Sequence, residues 1–173
     1  MKENLDMLFD LNIEDQKDMI RKNWMSHDAK WQMITVTNFG WELGNKLNQD
    51  VIRYMGKVMM YRMMNALDIS QIENIDEFKS ILWTIAQLNY PRPSSIYQFK
   101  KISNNILRID VRKCLTYDNV KKVKAIKEYE CGCFALRKGF SEALNITLEQ
   151  KAVKCLMKGD DCCKILLKIK EWE

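Results

Sequence analysis

The chain has two prolines, six glycines and one histidine in 173 residues. Both prolines fall in Pro91-Arg92-Pro93, which leaves one hinge and no proline-rich linker. The scattered glycines form no phosphate-cradling loop, and no nucleophile elbow or pair of catalytic carboxylates is present. With His27 as the lone histidine, an H-E-x-x-H metal site is excluded. No run of about 18 apolar residues exists that could span a bilayer. Residues 1–10 carry Glu3, Asp6 and Asp10 in place of a basic segment and apolar core, so no secretory signal is read and a cytoplasmic address is expected.

What the chain does have is cysteine. Cys131, Cys133, Cys155, Cys162 and Cys163, five of its six, gather in the C-terminal third around Gly159. In a reducing compartment such thiols serve as metal ligands, reactive groups or small buried hydrophobes before they serve as disulfides. Charge is uneven too. Residues 1–99 hold 11 basic and 13 acidic side chains and residues 100–173 hold 17 and 10, within a net +5. The basic excess is interspersed with acids and lacks interleaved aromatics, which argues for a solvated face and against nucleic acid.

A length of 173 residues fits one domain, 1–173, with a helical part at 1–90 and a hairpin-helices-hairpin part at 94–173. Asn12, followed by Glu14, Asp15 and Asp18, caps a helix that runs to Asn38-Phe39-Gly40, where Gly40 is the stop. Trp41 to Leu47 is expected to be a short connecting helix. Asn48 is expected to cap a third helix through Leu67, and Asn74 with Glu77 a fourth through Leu88. After the prolines the period changes. Ser95–Ser103 and Ile106–Lys113 alternate around Asn104-Asn105, with Leu107, Ile109 and Val111 on one face. Tyr117–Lys127 and Cys133–Leu144 are predicted helices, and Thr147–Met157 with Cys162–Ile169 a second hairpin. Two hairpins joined into a four-stranded antiparallel sheet with helices on one face make the class α+β.

Three constellations could carry function. In C-x3-G-x3-C, Cys155 and Cys163 would face one another across a short turn with Cβ atoms about 4.5–5.5 Å apart, within reach of one Zn²⁺ at about 2.3 Å. A one-residue register change would exchange Cys162 for Cys163. Cys131 and Cys133 can both contribute only if their segment is extended, because helical geometry points them apart. The candidate ligand set is therefore Cys131, Cys133, Cys155 and Cys163. The alternatives are a metal-free pocket of reduced thiols or a catalytic cysteine. The second constellation is Trp24, His27, Asp28 and Trp31, on one helical face, either a ligand contact or structural packing. The third is the methionine run Met55, Met59, Met60, Met63 and Met64, either ordinary core or the adaptable wall of a cavity; its ligand-facing members would be Met55, Met59 and Met63.

The segment Cys131–Ile169, with its C-x3-G-x3-C, resembles the small-molecule-binding domain of the 4-vinyl reductase family. That resemblance implies a Bet3-like fold, a four-stranded antiparallel sheet with helices on one side and a ligand cavity between. The stretch from Asn23 to Trp31 with Asn38-Phe39-Gly40 resembles a group of uncharacterised bacterial and archaeal cytosolic proteins, and the hairpin is similar to that of the 2-amino-thiazoline-4-carboxylate hydrolase family. In phenol-sensing members of the first family the strand cysteines hold zinc with an earlier cysteine and a glutamate three residues before the first strand cysteine. By position Cys155 and Cys163 match, Cys131 or Cys133 supplies the earlier ligand, and the glutamate is replaced by Ala152. The resemblance also implies a homodimer formed through the N-terminal helices.

The sequence thus points to a cytosolic domain that binds or senses a small apolar or aromatic molecule, with zinc as a possible cofactor. The ligand cavity is expected between the Met- and Trp-rich helices and the sheet, with His27 or Asp28 as polar anchor. The enzyme alternative is a hydrolase of a small cyclic amidine or amide with Cys131 or Cys133 as nucleophile and His27 as base. A structural dimerisation protein is the third.

Overall fold

The computed structural model describes residues 11–172. Its contacts divide the chain into two compact units that meet between Gly44 and Asn45, well before the prolines. Helix α1, Ile13–Ala66, crosses that boundary and is interrupted at Gly40, whose φ of 80° and ψ of 168° are non-helical.

The first unit is built by local signals. Asn12 accepts from the Asp15 amide at 2.9 Å, as an N-cap does. Glu14 pairs with Lys17 at 2.9 Å and Asp18 with Lys22 at 2.7 Å, so acids and bases alternate down the first turns. Gly40 stops this stretch as expected. The chain then returns on itself, so that Gln32 donates to the Gly44 carbonyl at 3.3 Å and Val36 is buried beside Gly44.

In the second unit α1 continues unbroken to Ala66. Trp41–Leu47 and the stretch beyond it are one helix, and Asn48 is an interior residue, 8 % exposed, where the sequence favoured a cap. Helix α2, Ile75–Asn89, starts as expected at Asn74, whose side chain accepts from the Asp76 and Glu77 amides, while Glu77 reaches back to the Glu73 amide. Then come β1, Ile96–Lys101; β2, Ile106–Lys113; α3, Leu115–Lys122; α4, Cys133–Leu144; β3, Ile146–Lys154; and β4, Cys163–Trp172. Two predicted elements are shorter than expected. Helix α3 ends at Lys122, ahead of the left-handed Lys124, and β3 ends at Lys154, where a turn of 3-10 helix, Leu156–Lys158, begins.

The four strands form one antiparallel sheet in the order β1-β2-β4-β3. The two hairpins are joined by β2 and β4, which places the last strand inside the sheet. Register sets Leu107 against Leu167, Ile109 against Ile165 and Val111 against Cys163, so the alternating apolar residues of both strands share one face. That face packs on Phe78, Ile81, Leu82 and Ile85 of α2, Met60 and Met64 of α1, and Phe140 of α4. The class is α+β with helices on one side of the sheet, as the sequence indicates.

Helices α1 and α4 cross with their backbones nearly touching. A Cβ added at Gly139 would strike the carbonyl of Arg53 and lie 2.8 Å from the Lys57 amide nitrogen, and one at Gly56 would strike the carbonyl of Leu136. Glycine is required at this crossing because any side chain would force two backbones apart. Arg53 and Glu142 latch the same pair of helices with a 2.7 Å ion pair. The start of α4, where the thiols lie, is therefore held against a fixed scaffold.

Candidate thiol site

The segment entering α4 is tied down by buried amides of α1. Asn45, 5 % exposed, donates to the Glu128 carbonyl at 2.7 Å and accepts from the Glu130 amide at 3.1 Å. Gln49 donates to the Glu130 carbonyl at 3.2 Å. Gly132, seated against Ile52, then occupies the cap position of α4. Cys131 thus lies outside the helix and Cys133 is its first residue; Gly132 between them has φ −74° and ψ −2°, and the two thiols hydrogen-bond to each other without an extended segment.

Electrostatics separates that pair. The bond from Cys131 stabilises a thiolate on Cys133, the charge and hydrogen bond of Arg137 reinforce it, and together they hold Cys133 below the ordinary thiol range against the opposing effect of burial. Cys131 is driven the other way, by its bond to Cys133 and by burial. Arg137 donates to Cys133 Sγ at 3.6 Å and to Gln150 Oε1 on β3 at 2.7 Å, and its guanidinium lies over the Phe134 ring, 4.9 Å from the centroid.

Two more thiols belong to the same end of the sheet. Cys163 opens β4 and sits on the helix-covered face with Val111, while Cys114 follows β2, whose end runs beside the start of β4. Burial pushes the Cys163 thiol up to about 12, with Cys155, Cys114 and Cys133 adding to it and the Leu156 amide, 3.3 Å from the sulfur, opposing. Burial raises Cys114 as well, helped by Cys133. Tyr97 of β1 faces the same region, and its hydroxyl is raised first by burial, with Cys114 and Cys133 contributing and a bond to Ser95 opposing. The β3–β4 ladder ends at the Lys154–Lys164 pair, and Cys155, the next residue, comes close enough to Cys163 to act on its thiol. Cys162 is turned toward Asp161 and Lys154, and its thiol is raised by partial desolvation and then by Asp161.

The sequence reading passed over Cys114, Tyr97 and Arg137. Only the non-local pairing of β2 with β4 brings Cys114 beside Cys163, and only the packing of α4 on β3 buries Arg137. All six cysteines are free. Among the described residues no group of three or more His, Cys, Asp or Glu side chains is placed to hold a metal ion, although Cys131, Cys133, Cys155 and Cys163 lie near one end of the sheet. Ala152, where the family resemblance implies a glutamate, is exposed and paired with Ile165.

The remaining candidates are placed as follows. Trp24 is half-buried and His27, Asp28 and Trp31 are exposed, all on the first stretch of α1. What desolvation Asp28 has raises its carboxyl, against the pull of adjacent His27. Met55, Met59 and Met63 are half-buried on α1, with Met59 and Met63 packed against the core that contains Met60 and Met64. A cavity of about 720 Å³ opens at the start of α2, lined by residues including Leu67, Ile72, Asn74, Ile81 and Thr84.

No protein-family model matches the chain, and no curated protein matches it. The 4-vinyl reductase resemblance therefore rests on the short motifs alone. Solved structures do match. The chain is similar to subunit 3 of a trafficking protein particle complex from Naegleria fowleri, a structure with covalently bound palmitic acid, at a TM-score of 0.60 and 15% identity, over 92% of this chain and 98% of that one. It is also similar to the phenol-responsive sensory domain of the transcription activator PoxR, solved with phenol, at a TM-score of 0.56 and 15% identity, over 86% of this chain and 75% of that one. At these identities the likeness establishes the Bet3-like fold.

Proposed function

We propose that the second unit is a small-molecule-binding domain that takes an apolar or aromatic ligand on the helix-covered face of its sheet, at the thiol end. The observation that carries this is the gathering there of Tyr97, Cys114, Cys131 and Cys163 about Cys133, whose sulfur accepts from the buried cation Arg137. Polarisable side chains with a few convergent polar groups are the usual lining of a ligand site. The palmitic acid and phenol of the two similar structures are ligands of this general kind. Met55, Met59 and Met63 are proposed as an adaptable apolar wall, and Trp24, His27, Asp28 and Trp31 as a contact face of the first unit. Binding to the native state alone stabilises by about 2.7 kcal/mol at a hundredfold excess over Kd, or roughly 5–10 °C in Tm for a chain of this length. A thermal-shift screen of phenols, aromatic acids and fatty acids should give such shifts, and Met59→Ala should reduce them. No shift from any compound, with native mass spectrometry of fresh protein showing only the bare chain, would overturn the proposal.

The same thiols are the raw material of a zinc site on Cys131, Cys133, Cys155 and Cys163 after local rearrangement. Near-stoichiometric zinc in protein purified without added metal, lost in Cys155→Ser, would support it; metal-free protein would refute it. A cytoplasmic address is proposed on the six free thiols. Among the described residues no helix is long and apolar enough to cross a membrane.

A homodimer is proposed from α1. Leu47, Val51, Tyr54, Val58 and Tyr61 follow the four-three spacing of a coiled-coil seam and are each at least 43 % exposed. An antiparallel pairing about Tyr54 sets Asp50 within one residue of the partner's Lys57, whereas a parallel one sets Lys57 beside the partner's Arg62. Charge therefore selects the antiparallel, isologous arrangement. Five such side chains from each copy would bury on the order of 1,000 Å² in total, near the lower limit of a specific interface. Light scattering should give twice the chain mass of 20.6 kDa, reduced to one chain by Val58→Lys. A wild-type monomer at tens of micromolar would refute it.

A further inference from the structure

Cys131, Gly132 and Cys133 place two thiols on either side of one glycine. Whether such a pair can join is decided by the backbone between them. A disulfide needs Cα atoms about 4.4–6.8 Å apart. An extended step at Gly132 would set them about 6.6–7.2 Å apart, at or beyond that limit. Gly132 instead has φ −74° and ψ −2°, in the right-handed helical region, where residues two apart lie about 5.4 Å from each other. The two thiols already hydrogen-bond to each other. Joining them asks only for a small side-chain rotation.

The surroundings fix this geometry and give the two sulfurs unlike roles. Glu130, the residue before Cys131, is held by α1 on both sides: Asn45 accepts from its amide at 3.1 Å and Gln49 donates to its carbonyl at 3.2 Å. Cys133 is the first residue of α4, whose first internal hydrogen bond runs from the Leu136 amide to the Gly132 carbonyl at 2.9 Å. Its sulfur thus stands at the helix end whose amides lack helical partners, and it accepts from Arg137 Nη2 at 3.6 Å. Both features favour negative charge on that sulfur. Cys131, outside the helix, turns its side chain without breaking a bond of α4, whereas Cys163 is fixed in register against Val111. Both members of the pair are half-buried and Gly132 between them is buried. A small oxidant reaches such a recessed pair more readily than a bulky disulfide, which must enter as a mixed disulfide.

We propose that Cys131 and Cys133 form a dithiol that reduces hydroperoxides, with Cys133 as the attacking sulfur and Cys131 as the resolving one. With hydrogen peroxide, the Cys133 sulfur bonds to one oxygen as the O–O bond breaks, and the other oxygen leaves as water with the Cys133 thiol proton. The Cys131 sulfur then attacks the resulting sulfenic acid: the S–S bond forms, the S–O bond breaks, and a second water leaves with the Cys131 proton. Two thiols lose two electrons and two protons to one peroxide, giving one disulfide and two waters, and an added dithiol restores the pair by exchange. This activity is separate from the ligand binding proposed above.

The test uses the full chain, freed of metal with EDTA and of reductant, treated with equimolar hydrogen peroxide, alkylated with iodoacetamide and digested with trypsin. Both cysteines fall on one tryptic peptide, residues 128–137. That peptide should appear two hydrogens lighter and unalkylated, and dithiothreitol before alkylation should return it to the doubly alkylated form. Cys131→Ser should stop at the first step, with the Cys133 sulfenic acid trapped by dimedone, and Cys133→Ser should leave Cys131 unoxidised. Peptide 128–137 still doubly alkylated once the peroxide is consumed, Cys133 bonded to a cysteine other than Cys131, or Cys131 oxidised as completely in Cys133→Ser as the pair is in wild type would each overturn the proposal. The first two results are read on the wild type and stand whether or not a variant folds.

Discussion

Gly139→Ala tests the crossing that positions the thiol end of the molecule. On helix propensity alone the change should help, because alanine is favoured over glycine by roughly 1 kcal/mol in a helix interior. Here the new methyl would meet main-chain atoms, the Arg53 carbonyl and the Lys57 amide nitrogen, neither of which can rotate aside. Overpacking typically costs about 1–3 kcal/mol, and a backbone obstacle places this site at the upper end. The propensity gain offsets only part of that, leaving a net loss of about 2 kcal/mol, or roughly 4–8 °C in Tm. Moving α4 away from α1 also strains the Arg53–Glu142 latch and the Arg137–Gln150 bond, so no compensating contact is available. Urea unfolding followed by far-ultraviolet circular dichroism would measure it, with the slope unchanged and the midpoint lowered. A variant as stable as wild type, or more stable, would show that propensity wins and that the two helices do not approach as closely as described.

Asn45→Ala removes two hydrogen bonds between α1 and the segment before α4. Water can reach the exposed Glu128 and Glu130, so the loss should be about 1–3 kcal/mol rather than more; hydrogen exchange at residues 128–132 should rise, and unchanged exchange would contradict the clamp. Cys133 should titrate below Cys114, Cys131, Cys162 and Cys163, because its folded value lies below the unfolded one and theirs lie above. The stabilisation from that shift is complete above the unfolded value, near 8.5, and is lost as pH falls through the folded value. In iodoacetamide labelling read by mass spectrometry, the midpoint of the pH–rate profile for Cys133 should lie below those for Cys114 and Cys163, whatever their relative access; a midpoint at or above theirs would refute the Arg137–Cys131 arrangement. Arg137→Gln should raise that midpoint.

The parts of the fold written in local signals are legible in the sequence. Asn12 and Asn74 stand directly before acid-rich turns and cap helices, and the alternation Leu107, Ile109, Val111 marks the buried face of β2. Asn48 misled because a capping residue and a buried interior asparagine look alike when only neighbours in sequence are visible; continuation of α1 through it is decided by tertiary packing. The site was half legible. Cysteine spacing drew attention to the right end of the chain, yet the convergence of Cys131 with Cys133 depends on where α4 begins, which the Asn45 clamp and Gly132 decide. Arg137 looks like any solvated helical cation, since its partner Gln150 lies thirteen residues away on another element.

The most direct measurement of ligand binding at the thiol end is a ¹H–¹⁵N NMR titration of the full chain with 4-phenylbutyrate. Saturable shifts concentrated at Tyr97, Cys114, the Cys131–Arg137 segment and the stretch from Ala152 to Cys163 are the expected result. No saturable shifts, or shifts confined to the cavity at the start of α2 around Asn74 and Thr84, would contradict a binding site at the thiol end.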